Sequence, residues 1–314
     1  MDVLGIDVGK DFLDCELLTG KPARKKVPNT IRGFEQLAKW LLNRKVKKVH
    51  ACMEATGGWS EELAFFLYER GHVVSIVNPM QISAFGQSEL SRNKTDKVDA
   101  GIIARFCQAM KPKAWDPPTP GERRLQHLVR RRRGLIEMRT QELNRLEAPG
   151  VDDIRESVTS LIEVLNGQIE VMEAEIRATI AKDDDLRGKR DLIESIPGIG
   201  EVTSSTLLAE APHIENFQKK ALAAFVGVHP QLRESGRSKK KSRRTRIGKQ
   251  AIRPVLFMAA MVALRTNPIV RSFGIRLRER GKTEMQIIVA AMNKLLTLVY
   301  GVLKTGRPFD PHWA

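Results

Sequence analysis

Asp7 closes an apolar run, Val3-Leu4-Gly5-Ile6, and Glu54 closes a second one that begins near Val49. Asp96 and Asp99 stand three apart in Asn93-Lys94-Thr95-Asp96-Lys97-Val98-Asp99-Ala100, a spacing that puts both on one face of a helix. A carboxylate at the end of a buried strand is costly unless it is paired or binds a cation. Four hard oxygen donors in a chain with only six histidines and three cysteines have the composition of a magnesium or manganese site. Such ions offset charge on phosphodiester oxygens while a nucleophile is held in line. Asp7, Glu54, Asp96 and Asp99 are therefore the candidate catalytic and metal-binding residues, with Mg2+ or Mn2+ as cofactor. Asp11 and Asp14 lie near the first turn and are expected to face solvent.

The rest of the composition points to a polyanionic substrate. Lys plus Arg number 53 against 37 Asp plus Glu, a net charge of +16 in 314 residues, and nucleic acid is the default partner of such a surface. No apolar stretch reads as long enough to span a bilayer, and the amino terminus lacks a charged region followed by an apolar core. A cytoplasmic protein with no membrane partner is expected. Cys15, Cys52 and Cys107 have no ligand-like spacing and read as core-filling thiols in a reducing compartment. Aromatics are only 5% of residues, which argues against a base-stacking platform of the RNA-recognition type.

The elements that must position the acids are legible in outline. Strands are expected at Val3 to Val8, Phe12 to Leu18, Lys25 to Val27, Val46 to Met53 and Val73 to Val77. Asn29 or Thr30 caps a helix with Phe34, Leu37, Ala38 and Leu41 on its apolar face, and Glu61 to Arg70 is a second helix ending at Gly71. A hairpin followed by strands alternating with helices predicts a mixed sheet of the ribonuclease-H-like, RuvC-like kind over residues 1–111. Prolines 112, 117, 118 and 120 open a second segment, 112–187. Its helix from Glu122 to Glu147 carries the basic block Arg130, Arg131, Arg132 and Arg133. After Ala148-Pro149-Gly150, Val158, Ile162, Leu165, Ile169, Met172 and Ile176 alternate spacings of four and three, a heptad seam suited to a helical hairpin or a dimer contact.

The third segment, 188–314, reads as mostly helical. Ile196-Pro197-Gly198-Ile199-Gly200 joins two apolar helices and matches a helix-hairpin-helix element, with Gly198 and Gly200 letting backbone N–H groups approach phosphate. A densely basic stretch follows: Arg233, Arg237, Lys239, Lys240, Lys241, Arg243 and Arg244 surround the single acid Glu234. These read as backbone binders, since no zinc or homeodomain recognition helix is present.

Gly5-Ile6-Asp7-Val8, Met53-Glu54-Ala55-Thr56-Gly57 and Arg92 to Ala100 resemble the signature of DEDD-type insertion-sequence transposases, whose relatives include Piv-type DNA invertases. Ile196 to Gly200, Phe225-Val226-Gly227 and Glu234-Ser235-Gly236 resemble that family's second conserved domain. The resemblance implies a RuvC-like domain joined to a transposase domain with a nucleophilic serine, which by motif falls on Ser235. Ser238 and Ser242 are neighbouring alternatives. It also implies donor and target DNA as substrates, a structured bridge RNA that pairs with both, and assembly as dimers or tetramers in which one subunit's serine serves another's acids. The residues by themselves leave open a RuvC-like endonuclease that activates water, or a non-catalytic nucleic-acid-binding protein.

Overall fold

A computed structural model of the chain describes residues 1–55, 57–89, 96–228, 230–231, 234–235, 238–239, 243–244 and 248–312. For 96–98, 219–220, 230–231, 234–235, 238–239 and 243–244 it describes the backbone alone. The chain forms two units, Met1–Pro117 and Pro118–Ala314.

The first unit is a five-stranded mixed sheet. Strands β1 (Asp2–Val8), β2 (Phe12–Leu18) and β3 (Ala23–Pro28) form an antiparallel meander. Strands β4 (Val49–Glu54) and β5 (Val73–Val77) join in parallel, giving the order β3-β2-β1-β4-β5. Because successive side chains on a strand alternate sides, β1 feeds two cores. Leu4, Ile6 and Val8 pack with Phe34, Leu37 and Leu41 of α1 (Ile31–Asn43) and with Leu63, Ala64 and Leu67 of α2 (Gly58–Glu69). Val3 and Cys52 pack instead with Ile82 of α3 (Pro79–Ser88) and with Ile102, Ile103 and Phe106 of α4 (Asp96–Met110). Thr30, not Asn29, caps α1, its side chain accepting from Gly33 N–H. The Asn78-Pro79 pair that ends β5 also begins α3: the Asn78 side chain accepts from Met80 N–H, and the proline fills the first helical position, where no N–H is needed.

The second unit is helical. Thr119 and Glu122 form a reciprocal capping box that starts α5 (Pro120–Leu146), so the proline run opens a helix as well as marking a boundary. Helix α5 packs against α6 (Arg155–Lys182). The heptad seam is used inside this unit, with Leu165, Ile169 and Met172 against Leu135 and Ile136. Helices α7 (Asp184–Glu194), α8 (Glu201–Glu210), α9 (Lys219–Val226), α10 (Ile252–Thr266), α11 (Pro268–Glu279) and α12 (Glu284–Thr305) complete the unit. Helix α12 is long and apolar enough to cross a membrane, which corrects the reading that no segment is long enough. In the fold it is a core helix, with Ile287, Ala291, Leu295, Leu296, Val299 and Val302 buried. Between α9 and α10, β6 (Pro230–Gln231) pairs with β9 (Arg243–Arg244), and β7 (Glu234–Ser235) with β8 (Ser238–Lys239).

Candidate active site

Asp7 and Glu54 share one face at the carboxyl ends of neighbouring parallel strands. The last printed step of the register pairs Ile6 with Met53, so the next residues, Asp7 and Glu54, come level. Asp7 alternates with Gly5 and Val3, and Glu54 with Cys52, which puts both on the face that α4 covers. Helix α4 lies against that face at closest range where β1 has no side chain: a Cβ on Gly5 would fall 2.3 Å from the Ala100 carbonyl oxygen and 2.3 Å from Ala104 N. Further along the helix, Cys107 Sγ lies 3.9 Å from the carbonyl of His50, the partner of Val3. The helix therefore runs antiparallel to β1, and its first turn, bearing Asp96 and Asp99, lies toward the strand end where Asp7 and Glu54 stand. Asp99 is half-buried. The side chain of Asp96 lies outside the described residues.

Asp14 is not the solvent-facing acid that the sequence led us to expect. It pairs directly with Asp7 across the β1–β2 ladder, and only 13% of its side chain is exposed. Lys26, its partner on β3, reaches it with Nζ 2.9 Å from Oδ2. Asp11 is exposed, as expected. The physical reason is that β2 is covered on both faces, so alternation away from Leu13 and Cys15 leads toward α4 and not to water. Glu54, Asp7, Asp14 and Lys26 thus form a row across four strands. Burial, then the carboxylates of Asp14 and Asp7, push the neighbouring Cys15 thiol up. A hydrogen bond with Cys107 and burial raise the Cys52 thiol, with Glu54 adding to the effect. All three cysteines are free and buried.

The donors are all carboxylate oxygens, which fits a hard divalent ion such as Mg2+ or Mn2+ in chemistry. Among the described residues no group of three or more His, Cys, Asp or Glu side chains is close enough to hold a metal. The set Asp7, Glu54 and Asp99 would need the Asp96 carboxylate or a substrate oxygen to complete it.

The basic residues divide by what they touch. Arg130 Nε lies 3.1 Å from buried Glu210, which also receives Lys249 at 3.4 Å, and Arg132 pairs closely with Glu173. Arg131 and Arg133 are exposed, Arg133 within 3.6 Å of Glu137. Gly198 has φ +100, and a Cβ there would meet Ala263 of α10 at 2.7 Å, so helix packing alone requires a glycine. Gly200 is the exposed N-cap of α8. The segment carrying Ser235 leaves and re-enters the helical unit at one point. Lys249 N–H donates to Phe225 O at 2.9 Å, Arg253 Nε to Val226 O at 3.0 Å, and Gly248 abuts Gly227. Within it Ser235 pairs with Ser238 and Glu234 with Lys239, while Arg243 and Arg244 pair with Gln231 and Pro230. Arg233, Arg237, Lys240, Lys241 and Ser242 lie outside the described residues.

Comparison with known proteins places this architecture. A transposase family model of the IS110 DEDD type matches residues 4–149, and a second, described as transposase IS116/IS110/IS902 family, matches residues 190–274. The chain is 33% identical over 313 residues to the pilin gene-inverting protein of Moraxella lacunata, covering 98% of this chain and 97% of that protein. It matches the protein of the same name from Moraxella bovis to the same extent. To the transposase for insertion sequence element IS1111A of Coxiella burnetii it is 22% identical over 308 residues, covering 84% of this chain and 78% of that one. With both family segments present in order and a full-length match to an inverting protein, the chain belongs to the IS110/IS116/IS902 family of insertion-sequence transposases, enzymes that recombine DNA.

Proposed function

We propose that this protein is an RNA-guided DNA recombinase that cuts and rejoins strands through a serine nucleophile and an acidic, metal-dependent site. The observation that carries the reading is the level, same-face pair Asp7 and Glu54, with the first turn of α4 directed to the same end of the sheet. Asp7, Glu54, Asp96 and Asp99 would hold Mg2+ or Mn2+, which when bound offsets negative charge on the phosphodiester. Ser235 Oγ attacks phosphorus and loses its proton. The bond from phosphorus to one DNA end breaks, and that end leaves as a free hydroxyl. The phosphoserine link conserves the phosphodiester's energy, so a second hydroxyl can displace the serine and reseal the strand without ATP. Arg233 and Arg237 would neutralise phosphate charge. The backbone of Ser235 is paired with Ser238, and the segment that carries it is joined to the helical unit where Gly248 abuts Gly227.

A basic chain whose sequence carries no zinc or homeodomain recognition pattern fits a division of labour in which pairing with a structured guide RNA selects donor and target sequence. The catalytic unit would then be a homo-oligomer, a dimer or tetramer, acting in the cytoplasm. The test is covalent trapping on a denaturing gel with protein, its co-purifying RNA, magnesium and labelled junction DNA. A protein–DNA adduct absent in Ser235→Ala is expected. Metal-dependent nicking without an adduct, abolished by Asp7→Ala and spared by Ser235→Ala, would overturn the serine mechanism in favour of water attack.

A further inference from the structure

We infer that the rim of the sheet beside Asp7 binds a single strand of DNA, with Phe12 and Trp59 stacking on its bases and Lys26 and Lys10 meeting its phosphates. The identity of the strand as DNA rests on the function proposed above; the binding surface rests on the geometry. The chain is poor in aromatics, at 5% of residues, yet two of its exposed rings stand at this rim, Phe12 at 50% and Trp59 at 52% exposure. Phe12 follows the turn that leaves β1 after Asp7. Trp59 sits in the first turn of α2, in the connection that leaves β4 after Glu54. The two rings therefore belong to the two chain segments that continue directly from the acid pair, and ligands of open α/β sheets bind at this carboxyl end of the strands.

Each ring has its own cation. Lys26 Nζ, ion-paired with Asp14 and with 53% of its side chain exposed, is 5.3 Å from the Phe12 ring centre, and Lys10 Nζ is 5.9 Å from that of Trp59. Phe12 pairs with Pro28 and Asp14 with Lys26, so Phe12 and Lys26 lie on the face that carries Asp7 and Asp14. The two segments are also braced to each other. Asn29 Nδ2 donates to the carbonyls of Gly9 at 2.9 Å and Trp59 at 3.2 Å, and Asn29 N–H donates to Asp11 O at 2.9 Å. An exposed ring held by braced backbone, with an ammonium beside it, presents what an unpaired nucleotide needs: a flat face for the base and a positive charge for the phosphate. A duplex, whose bases are already stacked, gains nothing from the rings. The surface thus selects melted DNA at the acids.

The test uses the full-length protein in EDTA, so that no strand is cut, and a short oligonucleotide carrying 2-aminopurine, whose fluorescence falls on stacking. Quenching by the wild-type protein is expected. The conservative changes Phe12→Leu and Trp59→Leu should each weaken single-stranded binding about tenfold, as expected for loss of one stacked base, and leave duplex binding unchanged. Trp59→Phe should restore most of the loss. Circular dichroism and the melting temperature check that the variants fold. Absence of quenching with wild-type protein, or unchanged affinity in both leucine variants, would overturn the inference. Tighter binding of the matching RNA, lost in the same variants, would overturn the DNA assignment and make the rim a guide-RNA contact. Asp7→Asn separates the two proposals: it should abolish strand cleavage while retaining oligonucleotide binding.

Discussion

Gly5 and Ala104 are in backbone-to-backbone contact: a single Cβ on Gly5 would fall 2.3 Å from Ala104 N and 2.7 Å from its Cα. That contact sets how close the acid-bearing helix α4 comes to β1, and hence to Asp7 two residues further along the strand. Backbone atoms cannot rotate away as a side chain can, so Gly5→Ala must displace the helix. We expect a loss of about 3 kcal/mol, the upper end of overpacking costs, read by urea denaturation. Strand cleavage should fall more than DNA affinity.

Asp7 and Glu54 place like charges on neighbouring strands at the same level. Like charges directly opposite one another destabilise a sheet, and neutralising one is expected to stabilise the metal-free protein by about 0.5 kcal/mol. Asp7→Asn and Glu54→Gln should therefore raise the melting temperature slightly in EDTA. Magnesium is expected to raise the melting temperature of the wild type further, and both variants should lose that rise together with strand cleavage. A variant that melts lower in EDTA would show that the carboxylate is structural.

Glu210 is a buried carboxylate held between Arg130 and Lys249. Burial acts to raise its pKa, but the Arg130 hydrogen bond and the charges of Arg130 and Lys249 outweigh it, and the net direction is down. A folded pKa below the unfolded one means that the stabilisation is complete above the unfolded value, roughly 4.3, and is lost as pH falls through the folded value. Glu210→Ala removes the buried carboxylate and leaves Arg130 and Lys249, both partly open to water, and is expected to cost about 1 kcal/mol at neutral pH. Glu210→Gln should remove this contribution to acid unfolding, read as a flatter stability profile below pH 4.

The backbones of Ser235 and Ser238 are paired across β7 and β8. The two alanine variants keep the same backbone ladder, so any difference between them reports chemistry rather than folding. Ser235→Ala should abolish the protein–DNA adduct, and Ser238→Ala should retain it within a few-fold. The reverse result would move the nucleophile one step across the hairpin.

The sequence by itself determined the order of the five strands and first two helices of the sheet unit and the acids at the strand ends, but not helix α3. Val3-Leu4-Gly5-Ile6-Asp7 announces a buried strand ending in a carboxylate because apolar runs and turn residues are local signals. The same locality explains the boundary errors: β4 begins at Val49 rather than Val46, Asn78-Pro79 starts α3 as well as ending β5, and Thr119-Pro120 starts α5 at the domain boundary. Trp40, absent from the expected apolar face of α1, is buried, whereas Ala38 is only half-buried.

What only the tertiary structure decided is which side chains come together. Asp14 joins the face of Asp7 through the β1–β2 register, and it is shielded from water because α4, far along the chain, packs on that face of β2. Gly5 is needed not for a turn but for a helix that lies on it. Arg130 and Arg132, indistinguishable in sequence from Arg131 and Arg133, are drawn into ion pairs with Glu210 and Glu173 by packing of α5 against other helices. Likewise the heptad seam is spent within one chain, between α5 and α6. Periodicity fixes which face of an element is apolar or charged, but only three-dimensional packing selects what that face meets.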